Sequence, residues 1–168
     1  MESIYLRLAE NWILETERLL LRPVTLDDAE DMFEYSSDEE NTRYTFLPNK
    51  DLEETKNIIA RLFMGRALGN WGIELKERDK LIGSIDLHKL DPILKKAAIG
   101  YVINKKYWNQ GLATEALQEI IRLLTHTQHS MSTRKAEFLK ELIIVWQRKI
   151  ILKNTDVNVR FIGNFNGD

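Results

Sequence analysis

Gly100-Tyr101-Val102-Ile103-Asn104-Lys105-Lys106-Tyr107-Trp108-Asn109-Gln110-Gly111-Leu112-Ala113-Thr114-Glu115-Ala116-Leu117 is the stretch from which the fold can be read. Together with Ala97, Ala98 and Ile99, its first four residues read as a strand. Beyond the loop, Ala113, Ala116, Leu117, Ile120, Ile121 and Leu124 recur at i, i+3, i+4, i+7, i+8 and i+11, one face of a strongly amphipathic helix. Gly111 and the small residue two positions later let main-chain N–H groups approach a ligand closely. The helix that begins there turns its positive dipole end outward. Such an end binds phosphate without basic side chains. Taken alone, Gly-x-Ala equally fits an ordinary strand-to-helix turn.

Working back toward the N-terminus, Trp71, Ile73 and Leu75 alternate with Gly72, Glu74 and Lys76, and charged residues up to Lys80 turn the chain into a hairpin. In the following strand Leu81, Gly83, Ile85 and Leu87 are expected on one face. Ser84, Asp86 and His88 then project together from the other. Earlier still, Leu52, Ile59, Leu62 and Phe63 recur at helical spacing after Asp51, and Gly65 and Gly69 mark the helix's decay. Thr25 with Asp28 three residues on is a capping-box-like start for a helix carrying Ala29, Met32 and Phe33. Glu17 to Pro23 is an apolar strand stopped by proline. The predicted order up to residue 125 is strand, two helices, three antiparallel strands, helix.

The 168 residues suffice for one domain with a real core. A net charge of −2 offers no chain-wide attraction to nucleic acid or anionic lipid, so neither partner is expected. The absence of Cys excludes disulfides, thiolate metal sites and a Cys nucleophile. No apolar run approaches the length of a membrane span, and a cytoplasmic location is the expectation. His88, His126 and His129 stand at no spacing that suggests a metal cage, so no metal is expected.

The run Gly100 to Ile103 followed by Tyr107 to Leu117 closely resembles the coenzyme A signature of GNAT N-acetyltransferases, especially the RimJ/RimL-like branch. Glu15-Thr16-Glu17-Arg18-Leu19-Leu20-Leu21-Arg22-Pro23, with Asp28-Ala29 downstream, is similar to the opening of the same branch. The resemblance covers about residues 14–125. It implies the GNAT α+β fold, layered α/β/α, with a mixed and mostly antiparallel sheet. It implies acetyl-CoA as cosubstrate and an amine acceptor, either a protein N-terminal α-amino group or a small molecule. The main chain of Tyr101, Val102 and Ile103 is then expected to hydrogen-bond the pantetheine arm, and Gln110, Gly111, Leu112, Ala113 and Thr114 to present N–H groups to the pyrophosphate. At Trp108 the general family pattern has Arg or Gln. An aromatic there resembles the branch, as a ligand contact or as a ring packed under the loop.

Acetyl transfer needs the neutral amine, which for a pKa near 10 is only about one molecule in a thousand at neutral pH. A base must take that proton. Many relatives place a glutamate directly before the Ile-Gly-Tyr sequence, whereas this chain has Ala98. His88 and Asp86, sharing a strand face, are the expected substitutes as catalytic residues, with Glu74 an outsider. Phe46 and its neighbours in the segment from Asn41 to Pro48 either line an acceptor cleft or anchor a loop to the core.

The resemblance stops after Leu124. Residues 1–125 are read as the N-terminal and coenzyme-binding part of a single GNAT domain. Residues 126–168 are read as an atypical segment of that domain or an appended tail: a diverged helix and strand that complete the sheet, a structural or oligomer contact, or the product of a slipped reading frame. A non-catalytic acetyl-CoA-binding protein or an inactive remnant is the alternative to an enzyme. The expected assembly is a monomer or homodimer.

Overall fold

A computed structural model describes residues 4–43, 45–91, 96–125 and 158–161. His126, His129 and the apolar run from Ala136 to Leu152 lie outside the described residues. The chain order is α1 (Ile4–Glu10), β1 (Leu14–Glu15), β2 (Leu19–Arg22), α2 (Ala29–Ser36), α3 (Glu39–Thr42), α4 (Leu52–Ile58), β3 (Asn70–Leu75), β4 (Lys80–Asp91), β5 (Lys96–Ile103), α5 (Leu112–Thr125) and β6 (Asn158–Phe161). The strands form one six-stranded sheet in sequence order. Neighbours are antiparallel from β1 to β5, while β6 runs parallel to β5.

Alternation along the strands makes both faces apolar, and each must be covered. On one face Leu19, Leu21, Trp71, Ile73, Ile85 and Ile99 pack with Leu112, Ala116, Leu117 and Ile120 of α5 and Leu8 of α1. On the other, Leu81 packs with Val24, Ala29, Met32 and Tyr35 of the α2 region and with Ile59 after α4. The layered α+β architecture expected from the sequence is therefore present, with helices on both faces. Glycine at position 72 is what lets the second layer close: a Cβ there would meet Leu81 Cδ1 at 2.5 Å and Val24 Cγ2 at 2.9 Å.

One expectation about faces fails. Leu81 does not share a face with Ile85, because the β3–β4 register slips between Ile73 and Glu74 and leaves Ile82 as an extra residue. This β-bulge restarts the alternation, so Leu81 faces α2 while Ile82 joins the α5 side. Beyond the bulge the expected pattern holds.

Thr25 and Asp28 do form a helix start, the Asp28 carboxylate accepting the Thr25 N–H at 2.8 Å. The same carboxylate takes both terminal nitrogens of Arg22, at 2.9 and 2.7 Å, which ties β2 to the start of α2. Asp51 caps α4 by accepting the Glu54 N–H at 2.8 Å. That helix then widens into a π-turn stretch, Ile59–Met64, which ends where the Gly65 N–H reaches the Ala60 carbonyl at 2.9 Å.

Candidate functional site

The edge of β5 is the first feature of the site. β6 pairs with Lys96, Ala97, Ala98 and Ile99 and goes no further. Among the described residues, nothing pairs the outer edge from Gly100 to Ile103 as a strand. Two contacts show which peptide groups face that edge. The Leu87 N–H is turned to Gly69 on the β3 side, so Ser84 and Asp86 present their groups to β5. A Cβ on Gly83 would lie 2.2 Å from the Val102 carbonyl oxygen, which therefore points at β4. Alternation then turns Tyr101 and Ile103 outward. Val102 was expected beside them as a main-chain ligand contact. The structure corrects this, since its peptide groups belong to the β4–β5 ladder.

The Ile103 carbonyl is already occupied, accepting Asn41 Nδ2 at 3.2 Å and Trp108 Nε1 at 2.7 Å. Its N–H and both peptide groups of Tyr101 face outward with no strand paired to them among the described residues. Trp108 is 40% exposed, and its ring nitrogen is fixed to the strand. Asn41, in a segment that the sequence marks only as a cleft lining or loop anchor, lies in α3. Buried, it also accepts the Lys105 N–H at 2.6 Å and so fastens α3 to the strand exit.

The loop from β5 to α5 carries two left-handed residues, Asn109 (φ 60°) and Gly111 (φ 74°). Gly111 suits that conformation, and its missing side chain leaves open space, the nearest atom to a built Cβ being Arg18 Nη2 at 3.7 Å. The first helical bond of α5 runs from the Glu115 N–H to the Gly111 carbonyl at 3.0 Å. The N–H groups of Leu112, Ala113 and Thr114 precede it and have no partner within the helix. With Gln110 and Gly111 they form a concave run of donors at a positive dipole end, which suits an anion.

Two lysines open this loop and both are held by α2–α3 carboxylates. Lys105 pairs with Asp38 at 2.8 Å and Glu40 at 2.9 Å, and Lys106 with Glu34 at 2.8 Å. Glu34 also receives Asn104 Nδ2 at 3.0 Å and Lys80 at 3.0 Å. These contacts, Lys106 foremost, hold its carboxyl down to about 2 from an ordinary 4.5. A depressed folded pKa stabilises the fold above the unfolded value and loses that contribution as pH falls through the folded one. Glu34→Gln is therefore expected to melt below wild type at neutral pH. The gap should close as the pH falls from 4.5 toward 2, and a pH-independent gap in a series of thermal melts would contradict this.

Asp86 and His88 project together from β4, as the sequence predicts, with His88 Nδ1 at 2.7 Å from Asp86 Oδ2. A carboxylate only accepts, so Nδ1 carries the hydrogen, and in a neutral imidazole the lone pair is then on Nε2. Across the ladder Asp86 faces Gly100 and His88 faces Ala98. A Cβ on Gly100 would come within 2.8 Å of Asp86 Oδ1 and 3.0 Å of His88 Cε1. The missing side chain at Gly100 is thus what lets Asp86 and His88 lie over β5, on the strand whose outer edge is open. Glu74 takes no part, since its carboxylate is bound to Arg22 Nε at 2.5 Å. No group of His, Asp and Glu among the described residues is arranged to hold a metal ion. No helix among them is long and apolar enough to cross a membrane.

Sequence reading did not assign a role to Arg18 or Glu115, although both lie in the two segments that carry the resemblance. The structure brings them together: Glu115 accepts the Arg18 N–H at 2.9 Å, Arg18 Nε at 2.7 Å and the Thr16 hydroxyl at 2.5 Å. Arg18 Nη1 donates in turn to the Gln110 carbonyl at 2.9 Å. Partial burial opposes ionisation of Glu115, yet the Thr16 and Arg18 bonds hold its carboxyl below the usual range.

An open strand edge beside a helix start of this kind invites comparison with known proteins. The acetyltransferase (GNAT) domain family matches residues 18–145, running past the point where the recognisable resemblance ends. An uncharacterized N-acetyltransferase, YoaA of Bacillus subtilis, is 38% identical over 113 residues, 65% of this chain and 64% of that protein. The ribosomal-protein-serine acetyltransferase of Escherichia coli is 30% identical over 122 residues, 71% of this chain and 62% of that protein. The chain thus spans less than two thirds of the length of these curated relatives. Among solved structures, a GNAT acetyltransferase from Bacillus anthracis superposes with a TM-score of 0.62 at 24% identity, over 84% of this chain and 85% of that one. The microcin C7 self-immunity acetyltransferase MccE, in complex with acetyl-CoA and AMP, does so with a TM-score of 0.60 at 14% identity, over 82% of each chain. The family match, the relatives and the shared fold agree with the loop and strand edge described above, and the chain belongs to the GNAT acetyltransferase family.

Proposed function

We propose that this chain is an acetyl-CoA-dependent N-acetyltransferase that acts on a primary amine. The observation that carries the reading is the placement of the Asp86–His88 dyad across from Gly100 and Ala98, on the strand whose edge beyond Ile99 is unpaired among the described residues. Tyr101 and the Ile103 N–H would bond the pantetheine arm as a neighbouring strand does, and Gln110, Gly111, Leu112, Ala113 and Thr114 would receive the pyrophosphate. His88 Nε2 takes the proton of the attacking ammonium, Asp86 holding the imidazole in the required tautomer. The amine nitrogen bonds to the thioester carbon while the Tyr101 N–H faces the charge that develops on oxygen. The C–S bond then breaks, the second proton of the attacking nitrogen passes to the leaving thiolate to give the free thiol of coenzyme A, and His88 releases the first to solvent.

A protein α-amino group is the favoured acceptor, supported by the similarity to a relative named for a ribosomal protein serine. The chain has no cysteine, so released coenzyme A can be followed with a thiol reagent without background from the protein. Acetyl-CoA with a peptide bearing a free serine N-terminus should release thiol faster than acetyl-CoA with the same peptide N-blocked or with a polyamine. Faster release with the polyamine would move the acceptor to small amines. A chain whose melting point acetyl-CoA raises, but which releases no thiol with any amine, would be a non-catalytic binding protein.

A further inference from the structure

We propose that Arg18 is the positioning residue of the phosphate-receiving loop, acting by turning one peptide plane; this rests on the reading of residues 110–114 as the pyrophosphate site. A helix start receives an anion through its N–H groups, and any carbonyl aimed into the same concavity opposes it. The loop peptide best able to turn is the one between Gln110 and Gly111, because the glycine that follows it tolerates either sign of φ and here stands at +74°. Arg18 removes that freedom. Its Nη1 holds the Gln110 carbonyl at 2.9 Å. In a planar trans peptide the C=O and N–H are antiparallel, so fixing the carbonyl toward Arg18 aims the Gly111 N–H the opposite way. Arg18 stands at the start of β2, over which α5 packs, whereas the unpaired edge lies on β5, on the far side of β3 and β4. The Gly111 N–H is accordingly directed away from β2, toward the side of the sheet where the ligand arm would enter.

Glu115 completes the device. Its charge lies in the first turn of α5, where it would repel a phosphate, yet three donors from Thr16 and Arg18 engage its carboxylate on the β2 side. It thereby anchors Arg18, and Arg18 offsets its charge. The two segments that carry the family resemblance meet here, Arg18 and Glu115 lying 97 residues apart in the chain. The arrangement uses the guanidinium's fork, one arm on a carboxylate and one on a carbonyl. A lysine ammonium, as a point charge, does not reproduce it.

The test uses the full chain and two probes, coenzyme A and pantetheine, which lacks the phosphates. In wild type labelled with 15N-glycine, coenzyme A should move the Gly111 amide downfield and bind more tightly than pantetheine. Arg18→Met should raise the Kd of coenzyme A about tenfold, roughly the loss of one charge-assisted bond, and abolish the Gly111 shift while leaving pantetheine binding unchanged. Arg18→Lys should show a smaller loss in the same pattern, and it carries the comparison if Arg18→Met does not melt cooperatively. Unchanged affinity for coenzyme A, or equal losses for both probes, would overturn the proposal. So would full restoration by lysine, which would reduce Arg18 to a general attraction of charge. Wild type that binds both probes equally would instead remove the pyrophosphate reading itself, and the proposal with it.

Discussion

His88→Ala is expected to lower kcat about 100- to 10,000-fold with little change in the KM for acetyl-CoA, the range that a positioned general base contributes. Among the described residues of this face of β4 and β5, Ala98 and Gly100 carry no proton acceptor and Glu74 is engaged by Arg22, while Asp86, freed in the variant, offers a carboxylate, a weaker base than imidazole. What remains in the variant is attack by the small fraction of amine already neutral in solution. With an α-amino acceptor its rate should climb roughly tenfold per pH unit and level off near the amine pKa of about 8, while wild type would climb less steeply. The cross-strand register supplies a second arm. Position 98 lies directly opposite His88, with side chains only about 5 Å apart at such pairs. Adding Ala98→Glu to His88→Ala should therefore restore part of the rate, because a carboxylate from β5 enters the space the imidazole leaves. Wild-type turnover by His88→Ala would refute the assignment of the base.

Gly83→Ala should be the most damaging conservative change to stability. The added Cβ would sit 2.2 Å from the Val102 carbonyl oxygen and 3.1 Å from the Ile103 Cα, both main-chain atoms of the paired strand. No rotamer change relieves such a clash, so β4 and β5 must part at the point where the outer edge of β5 becomes free. We expect a loss of about 3 kcal/mol, the upper range for overpacking a well-packed site. For a chain of this size that is roughly 6–12 °C in Tm. Denaturant unfolding at equilibrium gives the figure directly, and a loss below about 1 kcal/mol would show that the strand gap accommodates a methyl.

Much of the fold was legible in the sequence because its signals are local. The periods of Trp71–Leu75 and Ala113–Leu124 each depend on a few consecutive residues, and β3 and α5 stand where those periods put them. The loop geometry at Gly111 is local in the same sense, and its positive φ could be anticipated from the glycine alone. The Asp86–His88 dyad was legible too, as two polar residues at the period of a strand. The bulge at Ile82 was not, because a register slip arises between two strands and leaves no mark on the alternation of either one. For the same reason Leu81 was assigned to the wrong face.

The sequence by itself yielded the family resemblance, the order of β2, α2, α4, β3, β4, β5 and α5 and the candidate chemistry, since each rests on side-chain type and spacing along one segment. By contrast, α1, β1 and α3 carry no such signal and were missed. Only the tertiary structure decided which peptide groups of β5 face outward, because that parity depends on pairing with β4. It alone showed that Asn41 and Trp108 occupy the Ile103 carbonyl and that Glu115 and Arg18 meet across 97 residues. A hydrogen bond between segments far apart in the chain has no periodicity to announce it: its donor and acceptor are brought within 3 Å by the packing of α5 over β2, which the whole core must form first.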